Sequence, residues 1–175
     1  MRTQQCSDTF AQAAGCHGSY AAAIKAPFAV LGIRTDDDAV THVAYLPDDT
    51  PELMARDRTA ARAVREIERY LDDPEFRFTL KLRPGGTAFQ QRVWEAIRAI
   101  PLGESRTYGE IARHVHSFAR AVGQACGANR IALIIPCHRV VASGGSLGGF
   151  MNSDRGDPLS IKRWLLVHER YRFGA

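Results

Sequence analysis

One segment limits what this chain can fold into. An apolar run over residues 131–135 stops at Pro136, and Cys137 and His138 follow side by side. Arg139, the apolar pair Val140-Val141 and a glycine-rich stretch up to Phe150 come next. Proline can neither donate to a ladder nor continue a helix, so a rigid element ends where the thiol begins. The four glycines between Ser143 and Phe150 demand a loop. The pattern places a thiol at the end of a rigid element, in a pocket roofed by a loop, and Cys137 reads as a nucleophile.

A thiol reacts as thiolate, and near neutral pH a free thiol is mostly protonated. Cys137 therefore needs a base or a positive environment; His138 and Arg139 are adjacent. In an extended segment neighbouring side chains point to opposite faces, so a bridging water suits Cys137 and His138 better than a direct bond. A carboxylate behind the histidine would fix its tautomer and hold its proton. Glu169, in an otherwise apolar helical segment, is the candidate. The plainer reading of such a pair is a buried cysteine beside a structural histidine. The proline before it, the glycine loop after it and the charge of the surrounding half weigh against that reading.

That charge is uneven. Residues 1–80 carry nine basic and thirteen acidic side chains, and residues 81–175 carry fourteen and six, giving −4 and +8 within a total of +4. A basic half beside an acidic one suggests that the second half meets a polyanion; a solvated basic face is the alternative. With 175 residues, 45% of them hydrophobic, the chain can bury a core in one domain or two small ones. No apolar run is long enough to span a bilayer, and the first twenty residues lack a signal-peptide core, so an intracellular protein is expected. Cys6, Cys16, Cys126 and Cys137 do not suggest a disulfide framework. Cys6, Cys16, His17 and His42 fit none of the strong zinc spacings, and no metal is expected.

Along the chain, residues 1–19 are expected to be weakly ordered. Segments at 19–25, 27–35 and 39–46 are β-rich and separated by turn signals, as in a small antiparallel sheet. Residues 52–71 read as an amphipathic helix with Ala60, Val64, Ile67 and Leu71 on one stripe. Phe76, Phe78, Leu80 and Leu82 alternate with polar residues, which predicts a half-buried strand. Arg83-Pro84-Gly85-Gly86 reads as a linker. Thr87 with Gln90, and Thr107 with Glu110, are capping-box signals opening two helices. Ser117 is a candidate cap for a third helix over 118–126, with Gly127 at its end. The second and third helices form a helix-turn-helix pattern. The third carries Ala119, Ala121, Gly123 and Ala125, which permit close approach either to an external surface or to the protein's own interior. Pro158 suits the first turn of a last helix. The expected class is α/β in the α+β sense: a small N-terminal sheet-and-helix support domain over 20–83, then a mainly helical domain over 84–175.

The residues also carry a resemblance. Pro136-Cys137-His138-Arg139-Val140-Val141 is similar to the active-site signature of the O6-alkylguanine-DNA alkyltransferases, the methylated-DNA–protein-cysteine methyltransferases. Thr107-Tyr108-Gly109-Glu110-Ile111-Ala112, Arg120-Ala121-Val122-Gly123-Gln124-Ala125, Asn129, Leu147-Gly148-Gly149-Phe150 and Ile161-Lys162-Arg163-Trp164-Leu165-Leu166 fall in that family's order. The resemblance covers about residues 87–170; residues 20–83 resemble the family's variable N-terminal domain in outline.

What it implies is DNA repair by direct damage reversal. Cys137 would take the alkyl group from O6 of guanine in double-stranded DNA, with O4-alkylthymine a further candidate substrate. The thioether product makes this a single irreversible turnover, without cofactor or metal. His138 would activate Cys137 through a water, Glu169 would orient His138, and Asn129 would brace the segment. Tyr108, Val140, Phe150, Met151 and Lys162 would hold the base. In that pocket Tyr108 is a hydrogen-bond donor, the carbonyls of Cys137 and Val140 accept the exocyclic amine, Phe150 is an aromatic wall and the Met151 main chain meets O6. The helix-turn-helix would enter the minor groove, with Arg120 filling the gap left by the flipped base and Thr107, Ala119, Ala121, Gly123 and Arg130 along the DNA. A cytoplasmic monomer is implied. One departure stands out: the stretch from Met151 to Pro158 is longer than the family pattern, which bears on the Met151 contact and on substrate size.

Three rivals remain open on sequence. A Cys-His-Glu hydrolase would need an oxyanion hole and would turn over repeatedly. A damage-binding relative without transfer activity would lack the cysteine. A plain helix-turn-helix protein would tolerate Cys137→Ser.

Overall fold

The computed structural model describes residues 20–151 and 157–173. Strands β1 (Ala22–Ala26), β2 (Ala29–Asp36) and β3 (Ala39–Leu46) form an antiparallel sheet in sequence order. Ala22 faces Ile33 and Val30 faces Leu46 across the two ladders. The acidic triplet makes the second turn, with Asp37 at φ 52, a left-handed conformation that Asp tolerates better than most residues. Helix α1 (Arg58–Asp72) packs on this sheet.

Two expectations about the N-terminal half need correction. The helix predicted from residue 52 begins only at Arg58. Asp57 is its N-cap, accepting from the Ala60 amide at 2.7 Å. Residues before it are drawn to the edge of β1 instead: Leu53 exchanges two 2.9 Å backbone bonds with Ala23, and the Arg56 amide donates to Ala21. The strand predicted over 76–82 keeps its alternating burial but forms only one bridge, Val40 with Leu82. The edge of β3 is shared between two passing segments, the other being Ile131, which bridges Val43.

Helix α2 (Ala88–Arg98) opens on the predicted capping box of Thr87 and Gln90. Its Val93, Trp94 and Ile97 are buried, and Trp94 Nε1 donates to the Ala125 carbonyl at 2.8 Å. The two-residue strand β4 (Arg106–Thr107) leads into α3 (Tyr108–His114), whose capping box is Thr107 with Glu110. Helix α4 (Ala119–Gly127) follows. Its N-cap is Phe118 rather than Ser117, with no side-chain cap bond, because the Ser117 amide turns back to Ala112. Gly127 belongs to the helix, and Ala128 is the C-cap. Strand β5 (Val140–Val141) pairs in parallel with β4, and α5 (Asp157–His168) closes the described elements.

Among the described residues the fold is thus mixed, a three-stranded antiparallel sheet with five α-helices and the short β4–β5 pair. One contiguous apolar cluster joins Leu31, Ile33 and Val43 of the sheet to Ile67 of α1, Ile97 of α2 and Leu165 of α5. No described helix is long and apolar enough to cross a membrane.

Candidate active site

The apolar run before Pro136 is not a strand. Ile131 bridges Val43, the chain then turns, Leu133 takes φ 69, and the Ile135 amide returns to the Ile131 carbonyl. Asn129 holds this turn together. Its Oδ1 accepts from the Ile131 amide at 2.9 Å, and its Nδ2 donates to the Ile135 carbonyl at 3.0 Å and to Cys137 Sγ at 3.2 Å. Cys137, His138 and Arg139 form a single 3₁₀ turn, not the extended segment considered from sequence.

Cys137 is 6% exposed and stands at the wall of a cavity of about 860 Å³, within the usual range of small-molecule pockets, roughly 300–1,000 Å³. Residues from both halves line it. Tyr108 of α3, Gly123 and Cys126 of α4, and Phe150 meet Tyr45 and its neighbours on β3. The neighbouring Cys126 thiol raises the pKa of Cys137, burial raises it further, and the Asn129 amide and the Lys162 charge pull the other way. In the resting protein the thiol is therefore protonated, and ionising it requires a base.

His138 is 1% exposed. Its Nε2 lies 3.0 Å from Glu169 Oε1. Burial lowers its pKa, against the pull of Glu169, so the ring is neutral. A neutral ring that faces a carboxylate through Nε2 carries its proton there, which leaves the Nδ1 lone pair free to accept one. Nδ1 is buried and has no partner among the described residues. Glu169 is itself heavily held: Arg139 Nε and Nη2 donate to it at 2.8 Å each, as does the Tyr70 hydroxyl from α1. Burial alone would raise this carboxyl; the bonds to His138 and Arg139 outweigh it and keep the group well below the usual carboxylate range.

The loop after Cys137 is pinned from beneath. Lys162 of α5 has no exposed surface, and its Nζ donates to the carbonyls of Val140 at 2.6 Å, Leu147 at 2.5 Å and Gly149 at 3.3 Å. The Tyr108 hydroxyl donates to Gly149 at 2.8 Å. Gly148 takes φ 65, and a Cβ there would stand 3.1 Å from the Tyr108 ring, so glycine lets the loop lie on tyrosine. The Val140 carbonyl already accepts from Lys162, and the Cys137 carbonyl from the Val140 amide; each keeps a second lone pair. Phe150 is buried against Tyr45, and Met151 lines the cavity at φ 53.

The other expected residues lie outward. Ala119 and Arg130 border the cavity, both exposed; Arg120 is fully on the outer face of α4, Ala121 is half-buried, and Thr107 is engaged as the cap of α3. Residues 1–19, with Cys6, Cys16 and His17, and residues 152–156 of the long segment lie outside the described residues. Among the described residues no cluster of three His, Cys, Asp or Glu side chains could hold a metal ion. Sequence reasoning missed Tyr70, Tyr45, the Arg139 grip on Glu169 and the Cys126–Cys137 contact. The inward parity of Tyr45 on β3 was a readable signal; the Tyr70–Glu169 bond, spanning 99 residues, was not.

The family model for the 6-O-methylguanine DNA methyltransferase DNA binding domain matches residues 88–171. A methylated-DNA–protein-cysteine methyltransferase of Methanosarcina acetivorans is 36% identical over 157 residues, 86% of this chain and 97% of its own length. One of Haemophilus influenzae is 38% identical over 82% of each chain. Among solved structures, Mycobacterium tuberculosis OGT in complex with DNA superposes with a TM-score of 0.71 at 36% identity, over 85% of this chain and 91% of that one. An O6-methylguanine DNA methyltransferase from Methanococcus jannaschii gives 0.62 at 27% identity, over 87% and 95%. Shared signature residues, whole-length similarity and a common fold agree: this chain belongs to the methylated-DNA–protein-cysteine methyltransferase family.

Proposed function

We propose that the protein repairs DNA by moving the alkyl group of O6-alkylguanine onto Cys137 in a single turnover. The observation that carries this reading is the Cys137 thiol at a base-sized cavity, beside a neutral His138 whose buried Nδ1 has no partner among the described residues and whose Nε2 is anchored on Glu169. The thiol proton passes through a water to His138 Nδ1, and Glu169 stabilises the imidazolium. Cys137 Sγ then attacks the alkyl carbon; the S–C bond forms as the C–O6 bond breaks. Guanine departs with the electron pair, and the Tyr108 hydroxyl, released from Gly149, donates to the charge that develops on the purine. The product is a thioether, which no group in the cavity can cleave.

A base inside a duplex cannot be reached for in-line attack, so the nucleotide must swing out, at a cost of about a few kcal/mol. Helix α4 is suited to enter the minor groove: its outer residues are small, and Arg120 projects from the first turn to occupy the vacated stack. Phe150 and Met151 would bound the base, with Val140 and Lys162 fixing the loop around it. The protein would act as a monomer in the cytoplasm, with residues 20–83 as support and residues 84–175 as the alkyl-transfer unit. Mixing the protein with a duplex carrying O6-methylguanine and weighing its peptides is the test. One methyl group should appear on the Cys137 peptide, in a yield that never exceeds one per chain. Catalytic turnover, or a methyl elsewhere, would overturn the reading.

A further inference from the structure

Two buried polar atoms of residues that line the cavity with Cys137 find no hydrogen-bond partner among the described residues: His138 Nδ1 and the hydroxyl of Tyr45. Tyr45 sits on β3, is 5% exposed, and its ring lies 6.0 Å from those of Phe28 and Phe150. Burial above all raises its pKa far above neutrality, so the hydroxyl keeps its proton and is a donor. The Leu133 amide stands beside its oxygen, but no protein acceptor takes its proton. A buried hydroxyl left unmet costs about 1–3 kcal/mol. Phenylalanine would fill the same space without that cost, so the oxygen needs a reason to be there.

The groups around the pair leave few alternatives. Cys126 of α4 and Tyr108 of α3 line the cavity with Cys137, and Lys162 of α5 holds the loop carbonyls; Glu169 meets His138 at Nε2 and is itself bonded by Arg139 and Tyr70. His42 and Arg130 stand on the outer wall of the cavity. Tyr108, Lys162, Arg139, Tyr70 and Glu169 already have partners of their own, and no described residue accepts from Tyr45.

Resting on the reading of Cys137 as alkyl acceptor and His138 as its base, we infer that Tyr45 is a positioning residue for the proton transfer. Its hydroxyl and His138 Nδ1 together hold the water that carries the Cys137 proton. Such a water has the three partners that a buried water requires. It accepts from Tyr45 O–H and Cys137 S–H and donates to Nδ1. As it passes one proton to Nδ1 it takes the thiol proton, leaving thiolate, imidazolium and an intact water that now donates to sulfur. Tyr45 keeps its own proton and orients the water throughout. In this way the N-terminal sheet takes part in the chemistry of the other half.

The test is the pH dependence of Cys137 alkylation by iodoacetamide, read by peptide mass so that Cys6, Cys16 and Cys126 are counted apart. Tyr45→Phe should raise the apparent pKa of Cys137 by about one unit, which means about tenfold less thiolate below it. It should also slow saturating methyl transfer from a methylated duplex by about tenfold, with the half-saturating DNA concentration unchanged. Site-specific 3-fluorotyrosine at position 45, a stronger donor of nearly the same shape, should move the pKa down. That second substitution decides the matter alone if Tyr45→Phe does not fold. Unchanged pKa and transfer rate would overturn the inference. If the unaltered protein gains no methyl on Cys137, the parent reading fails instead, while the iodoacetamide measurement still reports on Tyr45.

Discussion

A buried lysine is an expensive way to fasten a loop, and Lys162 does it by donating to three carbonyls, with its ammonium 5.9 Å from the Tyr108 and Phe150 rings. Burial pushes its pKa from 10.5 down to about 8, against the pull of Cys126 and Cys137. The sign of the consequence follows from proton counting. Between pH 8 and 10.5 the unfolded chain holds a proton that the folded chain has released, so stability rises with pH across that window. Below it the cost of the buried charge is present in full. Lys162→Met should abolish this rise, seen as urea midpoints that no longer climb from pH 8 to 10.5. It should also lower stability at neutral pH by about 2 kcal/mol or more, since the carbonyls lose their donor. A variant with the slope of the unaltered protein would contradict the assignment. Residue-level reading of the sequence has a clear boundary here. Cys137, His138 and Glu169 could be picked out because thiol, imidazole and carboxylate have few uses together. Lys162 came only through the family likeness, since a lysine at a helical position looks solvent-facing until the fold buries it. Tyr70 acts through a hydroxyl whose partner, Glu169, is remote in sequence, and no local pattern marks such a bond.

Elements were legible where the signal was local. The capping boxes at Thr87 and Thr107 open α2 and α3 because each satisfies two orphan backbone donors within four residues. The strands of the sheet were readable from their apolar runs and acidic turn. The segments at 52–57 and 76–82 were not, because what decides them is the hydrogen-bonding capacity left at the edges of β1 and β3. That is a property of the assembled sheet, so amphipathicity and alternation overran the true elements. Helix α4 is the element on which the proposed DNA contact turns. Val122 and Ala125 face inward, Ala125 takes the Trp94 bond, and Ala119, Arg120 and Gln124 face out. Trp94 thus fixes the depth at which α4 sits, and the small residues Ala119, Ala121 and Gly123 leave its backbone open to close approach. If Arg120 holds the stack open after the base has left, its loss should matter only where there is a stack. Arg120→Ala should slow repair of duplex O6-methylguanine by about tenfold or more, and the reaction with free O6-benzylguanine far less. Equal losses on the two substrates would place Arg120 in the pocket chemistry instead.

At the scale of the molecule, the linker at 83–86 suggests two units, yet the interior does not stop there. The apolar cluster runs from Leu31 and Ile67 through Ile97 to Leu165 without interruption. Polar wiring crosses the same boundary: Tyr70 of α1 donates to Glu169, His168 meets the Tyr70 carbonyl at 2.7 Å, and the Val43 backbone bonds residues 130 and 132. The wall of the reactive cavity is likewise drawn from both sides. A residue buried at such a junction loses its environment as soon as either side opens. A domain of this size with one shared core is expected to unfold in a single cooperative step. The measurement is thermal unfolding followed in parallel by far-ultraviolet circular dichroism and by exposure of Cys137 to a thiol reagent. The two curves should coincide, and Tyr70→Phe should shift both downward together by the loss of one buried hydrogen bond to a charged acceptor, about 1.5–3 kcal/mol. An early thiol transition ahead of the loss of secondary structure would mean that the halves part before they melt. The N-terminal sheet would then be a detachable support rather than a wall of the active site.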